Sequence, residues 1–398
     1  MSLVARSWGR RGLGDTVNEV VPPRSSRHSG SVVVDPDSAL RHSAVWACLQ
    51  LRANLISSMP WDVFRRVGGI QVETPRPALF DMPGGDRIGL PEWLFSSQVD
   101  IDRTGNAIGP IVERDGNGLP SVVELQPAGS VTVRGKGPKI LSYRMNGTTY
   151  QPSEVWHEKG FTLSGVPLGL SAIAYAAWSI GGYLSAQQFA LDWFAVGPHP
   201  KGTLKNTKQD VLGRTAIAEA KTNFKAATAG GDIFVHGANW EYTPEATSAA
   251  GAVFLDEMKY GLTDVCRFLG VPADMIDAGS GSTNITYANV TQRNLQFLLM
   301  HLGPSVIRRE WAFSQWSVQK PRYVKANTDA ILRMDPETRS RVMGQQVRDR
   351  LRVPSEVREL DNLQPYTDAD FAELEKLFGR PGLKVTETIP GTAVPPTT

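Results

Sequence analysis

Cysteine is nearly absent. Two in 398 residues, Cys48 and Cys266, are too few for a disulfide framework. Each stands inside an apolar helical pattern, the setting of a buried free thiol rather than of a nucleophile or a crosslink. Histidine is scarce as well: six are scattered singly, with no pair at ligand spacing, so no metal and no cofactor is expected. Charge of one sign is also missing. With 42 basic against 40 acidic side chains, the chain lacks the strong basic excess of a protein that grips nucleic acid by its phosphates, although transient contact stays open. No apolar run has the character of a membrane span. Residues 160–191 carry no charge, yet Gly181, Gly182, Gln187, Gln188 and several serines interrupt them, which predicts a buried helix instead. The opening MSLVARSWGRRGLG has arginines but no apolar core of a secretory signal, so an intracellular product is expected.

Catalytic signatures are missing in the same way. The stretch DAGSGSTNITYAN, residues 277–289, contains Gly279-Ser280-Gly281. No Lys-Ser or Lys-Thr follows to meet a phosphate, and an apolar helical pattern rather than a strand precedes it. The HEKG at 157–160 begins like a zinc-protease motif, but Phe161 stands where the second histidine belongs. There is no G-x-S-x-G elbow. Asp256, Glu257 and Asp264 share a helix that packs its other face, which suits solvated or satisfied carboxylates. No enzyme is expected.

What is present alternates in texture, and the fold class it predicts is α+β. Residues 1–30 are dotted with arginine (Arg6, Arg10, Arg11) and lack periodicity, as a mobile arm does. SAVWACLQLRANLISSMP places Val45, Cys48, Leu49, Leu55, Ile56 and Met59 on one helical face, ended by Pro60. WDVFRRVGGIQVE predicts a hairpin turning at Val67-Gly68-Gly69, and LPEWLFSSQVDID a helix opened by Pro91. From 108 to 157 short β-rich runs are separated by turn signals at Asp115-Gly116, Gly135 to Pro138 and Asn146-Gly147. TKQDVLGRTAIAEAKTNFKAA predicts a helix from Thr207, whose spacing to Asp210 is that of a capping box. Arg214, Lys221 and Lys225 align on one side of it, either as a solvated face or as a wall facing a polyanion. AGGDIFVHGANWEYTPEA predicts a small hairpin, and AVFLDEMKYGLTDVCRFLG a returning helix with Phe254, Leu255, Met258, Leu262, Val265 and Leu269 inward. A long helical pattern over 289–316 is bent or broken at Gly303-Pro304. RYVKANTDAIL suggests a strand returning to the β region. Further helices open at Asp335-Pro336, Ser355 and Thr367, and VTETIPGTAVPPTT has the composition of a disordered tail.

Five stretches in order resemble the HK97-type phage portal proteins, from about residue 40 to 365. They are SAVWACLQLRANLISSMPWDVFRR, GNAIGPIV, EVWHEKGF with GVPLGLSAIAYA, RFLGVPADMIDAGSGSTNITYANVTQRNLQFLLMHLGP, and TRSRVMGQQVRDRLRVPSEVREL. Ala273 stands where the family commonly has a second proline, and Ser355 where asparagine is usual. The resemblance implies a portal fold with a mixed α/β wing, two-helix stem, small β clip, long kinked helix and α-helical crown. On that map residues 1–30 are the arm, 31–205 the wing, 206–228 the first stem helix, 229–250 the clip and 251–275 the second stem helix. Residues 276–289 are then the tunnel loop, 290–334 the long wing helix and returning strand, 335–380 the crown and 381–398 the tail.

The resemblance also implies a homo-oligomeric ring, typically of twelve subunits, at one capsid vertex of the virion, assembled in the host cytoplasm. Double-stranded DNA passes its channel without regard to sequence, driven in by terminase and later ejected. Partners implied are the terminase large subunit, the major capsid protein and scaffold, and a head-completion or connector protein, with no membrane. Phe234, His236, Trp240 and Tyr242 fall in the clip, where terminase and connector would dock. Ser280, Gly281, Ser282, Thr283, Asn284 and Thr286 fall in the tunnel loop. A loop that touches moving DNA must not hold it. Each phosphate neutralised by lysine or arginine adds salt-dependent affinity, which a ring multiplies by its copy number. Gly, Ser, Thr and Asn offer weak, sequence-blind hydrogen bonds instead. The Arg214, Lys221 and Lys225 stripe faces either the channel or acids of a neighbouring subunit. The alternative is a capsid or head-tail connector component that assembles without passing DNA.

Overall fold

The computed structural model describes residues 18–20, 26–27, 33–196, 202–207, 213–229, 240–244, 248–277, 287–328, 336–360 and 363–378. Residues 1–332 make one compact unit and residues 333–398 a second, and each is described separately. The chain opens with short strands β1 (Asn18–Val20), β2 (Ser26–Arg27) and β3 (Val33–Val34). Two pieces of the expected mobile arm are thus paired in sheets, β1 with Val133–Gly135 and β2 with β3. A sheet edge carries unpaired N–H and C=O groups, and an extended segment of almost any composition satisfies them.

Helix α1 (Ser43–Ser58) begins where the His42 ring accepts the Ala44 N–H at 3.2 Å, and it stops before Pro60 as expected. Strands β4 (Trp61–Val67) and β5 (Ile70–Thr74) form the expected hairpin. Gly68 and Gly69, at φ 59° and 85°, supply the two left-handed positions of its tight turn. Helix α2 (Leu90–Thr104) has Pro91 in its first turn and ends on Gly105 at φ 84°. Strands β6 (Asn106–Arg114), β7 (Pro120–Val123), β8 (Val131–Lys136), β9 (Lys139–Met145), β10 (Thr148–Tyr150) and β11 (Val155–Lys159) follow. They make two antiparallel sheets, ordered β1-β8-β9-β10 and β11-β6-β7. A short helix α3 (Ala172–Tyr175) leads into α4 (Ala177–Val196), which carries a single charged residue, Asp192, near its end.

Next come β12 (Gly202–Asn206), α5 (Arg214–Ala229), β13 (Trp240–Pro244) and α6 (Ser248–Leu269). One expectation is corrected here. Residue 206 closes a strand, and the described helix starts at Arg214, so the span 206–228 is not one helix. Strand β13 pairs with β12, joining Trp240 to Asn206 and Tyr242 to Leu204, while 230–239, the first half of the expected hairpin, lies outside the described residues. Helix α4 packs on α6, where Ser179 donates to the Asp264 carboxylate and Ile180 shares a core with Val265 and Cys266.

Helix α7 (Tyr287–Gln296), a π-helical turn over Phe297–Leu302 and α8 (Gly303–Trp316) run on without a break. Pro304 has no N–H to donate, and its ring crowds the turn before it. The helix absorbs this by widening, the Gly303 N–H reaching the Leu298 carbonyl five residues back. The expected bend or break at Gly303-Pro304 is therefore a π bulge. Strand β14 (Tyr323–Ala326) returns to pair with β4, giving the order β14-β4-β5.

Three cores hold this unit together, one of them within the sheets around Ile108, Val131, Val133 and Met145; the other two involve the long helices. In one, Phe313 of α8 lies 5.1 to 6.2 Å, centroid to centroid, from Trp61, Phe80, Trp93 and Trp156. In the other, α1, α4 and α6 bury Val45, Leu49, Ile180, Val265 and Leu269. The second unit contains α9 (Pro336–Arg348), α10 (Pro354–Leu360) and α11 (Asp368–Phe378). Helix α10 opens one residue earlier than Ser355, with Pro354 at its first position and the Glu356 carboxylate accepting the Val353 N–H at 3.0 Å. The Thr367–Asp370 capping box forms as expected, each side chain accepting the other's backbone N–H.

Candidate channel loop and its supports

Ser280, Gly281, Ser282, Thr283, Asn284 and Thr286 all lie within 278–286, outside the described residues, as do Phe234 and His236. Trp240 and Tyr242 are placed on β13, and Lys221 and Lys225 on α5, where Arg214 is exposed in the first turn. What the structure does describe is how both ends of the loop are held.

Helix α6 ends in a Schellman motif: Gly270, at φ 66°, donates to the Arg267 carbonyl and Val271 to that of Cys266. Pro272 starts a single turn, Ala273–Ile276, whose Met275 and Ile276 lean on the core of α1, α4 and α6. The chain then leaves at Asp277 in a left-handed conformation, φ 55°. Helix α7 begins at Tyr287, and its Arg293 reaches back to Asp274 at 2.9 Å. Both partners of this ion pair are partly exposed, so it contributes under about 1 kcal/mol. Its effect is to tie the two shoulders of the loop together.

Deeper supports clamp the long helix. Arg52 grips Asp102 with two hydrogen bonds, 2.9 and 3.1 Å, and donates to Ser305 Oγ at 2.9 Å. Arg309 donates to Glu158 at 2.9 Å and to the Leu94 carbonyl at 3.2 Å, while Glu158 also accepts from Trp156 Nε1. Beside this pair the His157 ring meets Tyr143 Oη at 2.8 Å and Asn106 Oδ1 at 3.0 Å. Burial pushes its pKa down to about 3, so the imidazole is neutral and fully engaged. Asn106 Oδ1 takes the Gly169 N–H as well, at 2.7 Å. The segments GNA, VWHEKG and GVPLG thus meet in one buried polar cluster that fixes the sheet to α8. The bonds of Asn106 to His157 and of Arg309 to Glu158 connect residues 51 and 151 positions apart, beyond any local pattern in the sequence.

Among the described residues no group of three or more His, Cys, Asp or Glu is placed to hold a metal, and no helix is long and apolar enough to cross a membrane. Cys48 and Cys266 are free and buried as expected, but they are neighbours, with their sulfurs 4.0 Å apart. Asp264 is satisfied by Ser179 and Arg267.

Over residues 43–362 the chain matches the family described as phage portal protein. A probable portal protein of Streptomyces phage phiC31 is 26% identical over 359 residues, covering 84% of this chain and 77% of that one. In fold the chain is similar to an HK97 family phage portal protein from Corynebacterium diphtheriae, with a TM-score of 0.60 at 17% identity, over 77% of this chain and 99% of that one. A chain in the neck of a native gene transfer agent particle, computed with C12 symmetry, is similar at a TM-score of 0.57 and 17% identity, over 88% and 96%. The family match spans the supports on both sides of the loop, from α1 to the end of α10, and the chain belongs to the phage portal protein family.

Proposed function

We propose that copies of this chain close into a ring, of twelve subunits, at a unique vertex of the virion capsid. The ring carries double-stranded DNA through its axis, inward under terminase and outward at ejection. The observation that carries this reading is the contrast at residues 277–287: two firmly anchored shoulders hold a segment that has no charged side chain after Asp277. Such a segment, with Ser280, Gly281, Ser282, Thr283, Asn284 and Thr286 toward the axis, lets phosphates pass without counterion release into fixed contacts. The C12 symmetry of the gene transfer agent neck supports the ring of twelve.

The β12–β13 pairing revises the proposed anatomy. Helices α4 and α6, packed on each other, are the two stem helices, and the segment from Gly202 to Pro244 is the clip. Helix α5 with Arg214, Lys221 and Lys225 then belongs to the clip and not to the stem. Terminase large subunit and the head-completion protein dock there, with Phe234, His236, Trp240 and Tyr242 as contacts. Residues 335–380 form the crown inside the shell, and the major capsid protein and scaffold meet the wing during assembly in the host cytoplasm. No catalytic step is assigned to the chain.

The test is to replace Thr283 and Asn284 by lysine, which adds two cations per copy around the channel. Rings should still assemble, while packaging slows or stalls, most severely at low salt where screening is weakest. Packaging at the normal rate in rings carrying both lysines would refute the low-friction collar.

A further inference from the structure

A groove of about 1000 Å³ opens between α8 and the sheet strands β6, β9 and β11. Ile307 and Trp311 line it from α8, each 63% exposed and four residues apart, so that they share one helical face. Its charge is one-sided. Arg114, Lys159, Arg308 and Arg309 line it against the single carboxylate Glu158. Arg114 is taken up by the Gly118 and Ser153 carbonyls, and Arg309 by Glu158, although Arg309 Nη2 is buried with no protein partner. Among the described residues, Arg308 and Lys159 have no hydrogen-bond or ion-pair partner.

A second concavity, of about 330 Å³, has the opposite sign: Asp35, Asp37 and Asp100 line it with one guanidinium, Arg103. Arg103 pairs with Asp37, and Asp35 accepts the N–H groups of Asp37 and Ser38, which leaves the Asp100 carboxylate without a direct partner. The two concavities flank one helix. Gln98 and Ile101 of α2 face the groove, whereas Asp100, Arg103 and Thr104 face the notch, roughly 140° away around the helix at 100° per residue.

A subunit in a closed ring shows its two neighbours two different faces, and these must complement each other in shape and charge. Here one flank offers a projecting cation and indole, Arg308 and Trp311 one helical turn apart, and another flank offers an acidic notch. We infer that Arg308 of one copy enters the Asp37–Asp100 notch of the next, with Trp311 packing beside it, so that this contact closes the ring. The inference rests on the ring reading above and adds to it the two faces that meet.

The experiment uses the full-length chain, assembled with capsid and scaffold proteins, with the ring fraction read by light scattering and negative-stain imaging. Arg308 is exposed, so Arg308→Glu leaves the fold intact. The Asp37 side chain is 89% exposed but pairs with Arg103, so the urea midpoint of Asp37→Arg is measured beside its assembly and must match wild type for the loss to be read at the interface. Arg308→Glu and Asp37→Arg should each raise the chain concentration needed for half-assembly by about tenfold or more, and the double variant should recover most of the loss, because every interface then carries the reversed pair. A second measurement does not depend on charge: Arg308→Cys with Asp37→Cys, oxidised after assembly, should give a ladder of linked copies, while either cysteine alone gives none. Wild-type rings together with undisturbed assembly of Arg308→Glu, or rings of the double-cysteine chain without a ladder, would overturn this contact while leaving the ring reading in place. If the wild type forms no ring at all, the ring reading fails and takes the contact with it.

Discussion

Removing Arg309 should be the most damaging single change in the supports of the proposed channel loop. The guanidinium and its partner Glu158 are 2% and 4% exposed, and their contact is 2.9 Å. Arg309→Met keeps much of the side-chain volume but strands a carboxylate in a core built from Trp93, Trp156 and Phe313. A buried ion pair broken on one side costs about 3–5 kcal/mol, because the remaining charge has lost its compensation and cannot regain water. The Leu94 carbonyl loses its donor as well. By contrast Arg293→Ala, which breaks the exposed pair with Asp274, should cost under about 1 kcal/mol. Urea denaturation followed by tryptophan fluorescence reads the difference directly, since Trp93, Trp156 and Trp316 surround the site. Glu158→Gln in the Arg309→Met background removes the stranded charge and should restore more than half of the loss. The reasoning is refuted if Arg309→Met lies within about 1 kcal/mol of wild type, or if Glu158→Gln deepens the loss.

Three further outcomes follow from the same structure. Gly109→Ala should prevent folding, because an added Cβ would sit 2.3 Å from the Glu124 carbonyl oxygen, whereas Gly116→Ala, with open space around it, should leave the yield of soluble rings unchanged. Lowering the pH from 7 to 5 should destabilise the chain. Burial depresses His157 to about 3 and His42 to about 4, so below pH 6.5 the unfolded chain binds protons that the folded chain refuses. Asp100, raised by burial to about 6, works in the opposite sense, and two histidines against one carboxylate leave a net loss of roughly 2 kcal/mol at pH 5. Urea midpoints that are equal at the two pH values, or higher at pH 5, would contradict this. Cys48→Ala should cost about 1–2 kcal/mol through the small cavity it leaves beside Cys266, with no change in mobility between reduced and non-reduced gels.

The elements that were legible in the sequence are those set by neighbours in the chain. Gly68-Gly69 between alternating β-formers fixes the hairpin, Pro60 stops the first helix, Pro91 opens the second, and Thr367 with Asp370 opens α11. Long-range pairing was not legible. Nothing local in WEYTP selects Gly202–Asn206 over a closer strand; that choice depends on α4 and α6 packing together and bringing the two strands side by side. The polar residues Asn106, Glu158 and Arg309 look like surface positions until the fold buries them against one another. At the loop, composition is what carries the proposed collar, and the structure describes only the segments on either side, from the Gly270 motif to the Arg293–Asp274 tie.

The central claim is that the chain forms a ring through which DNA passes, and the most direct test is the mass and shape of the purified protein. Size exclusion with light scattering in detergent-free buffer, with negative-stain images of the same peak, should show a closed ring of about twelve chains around an axial hole. A chain that stays monomeric, or builds an assembly without a hole, even with capsid and scaffold proteins present, would contradict the account.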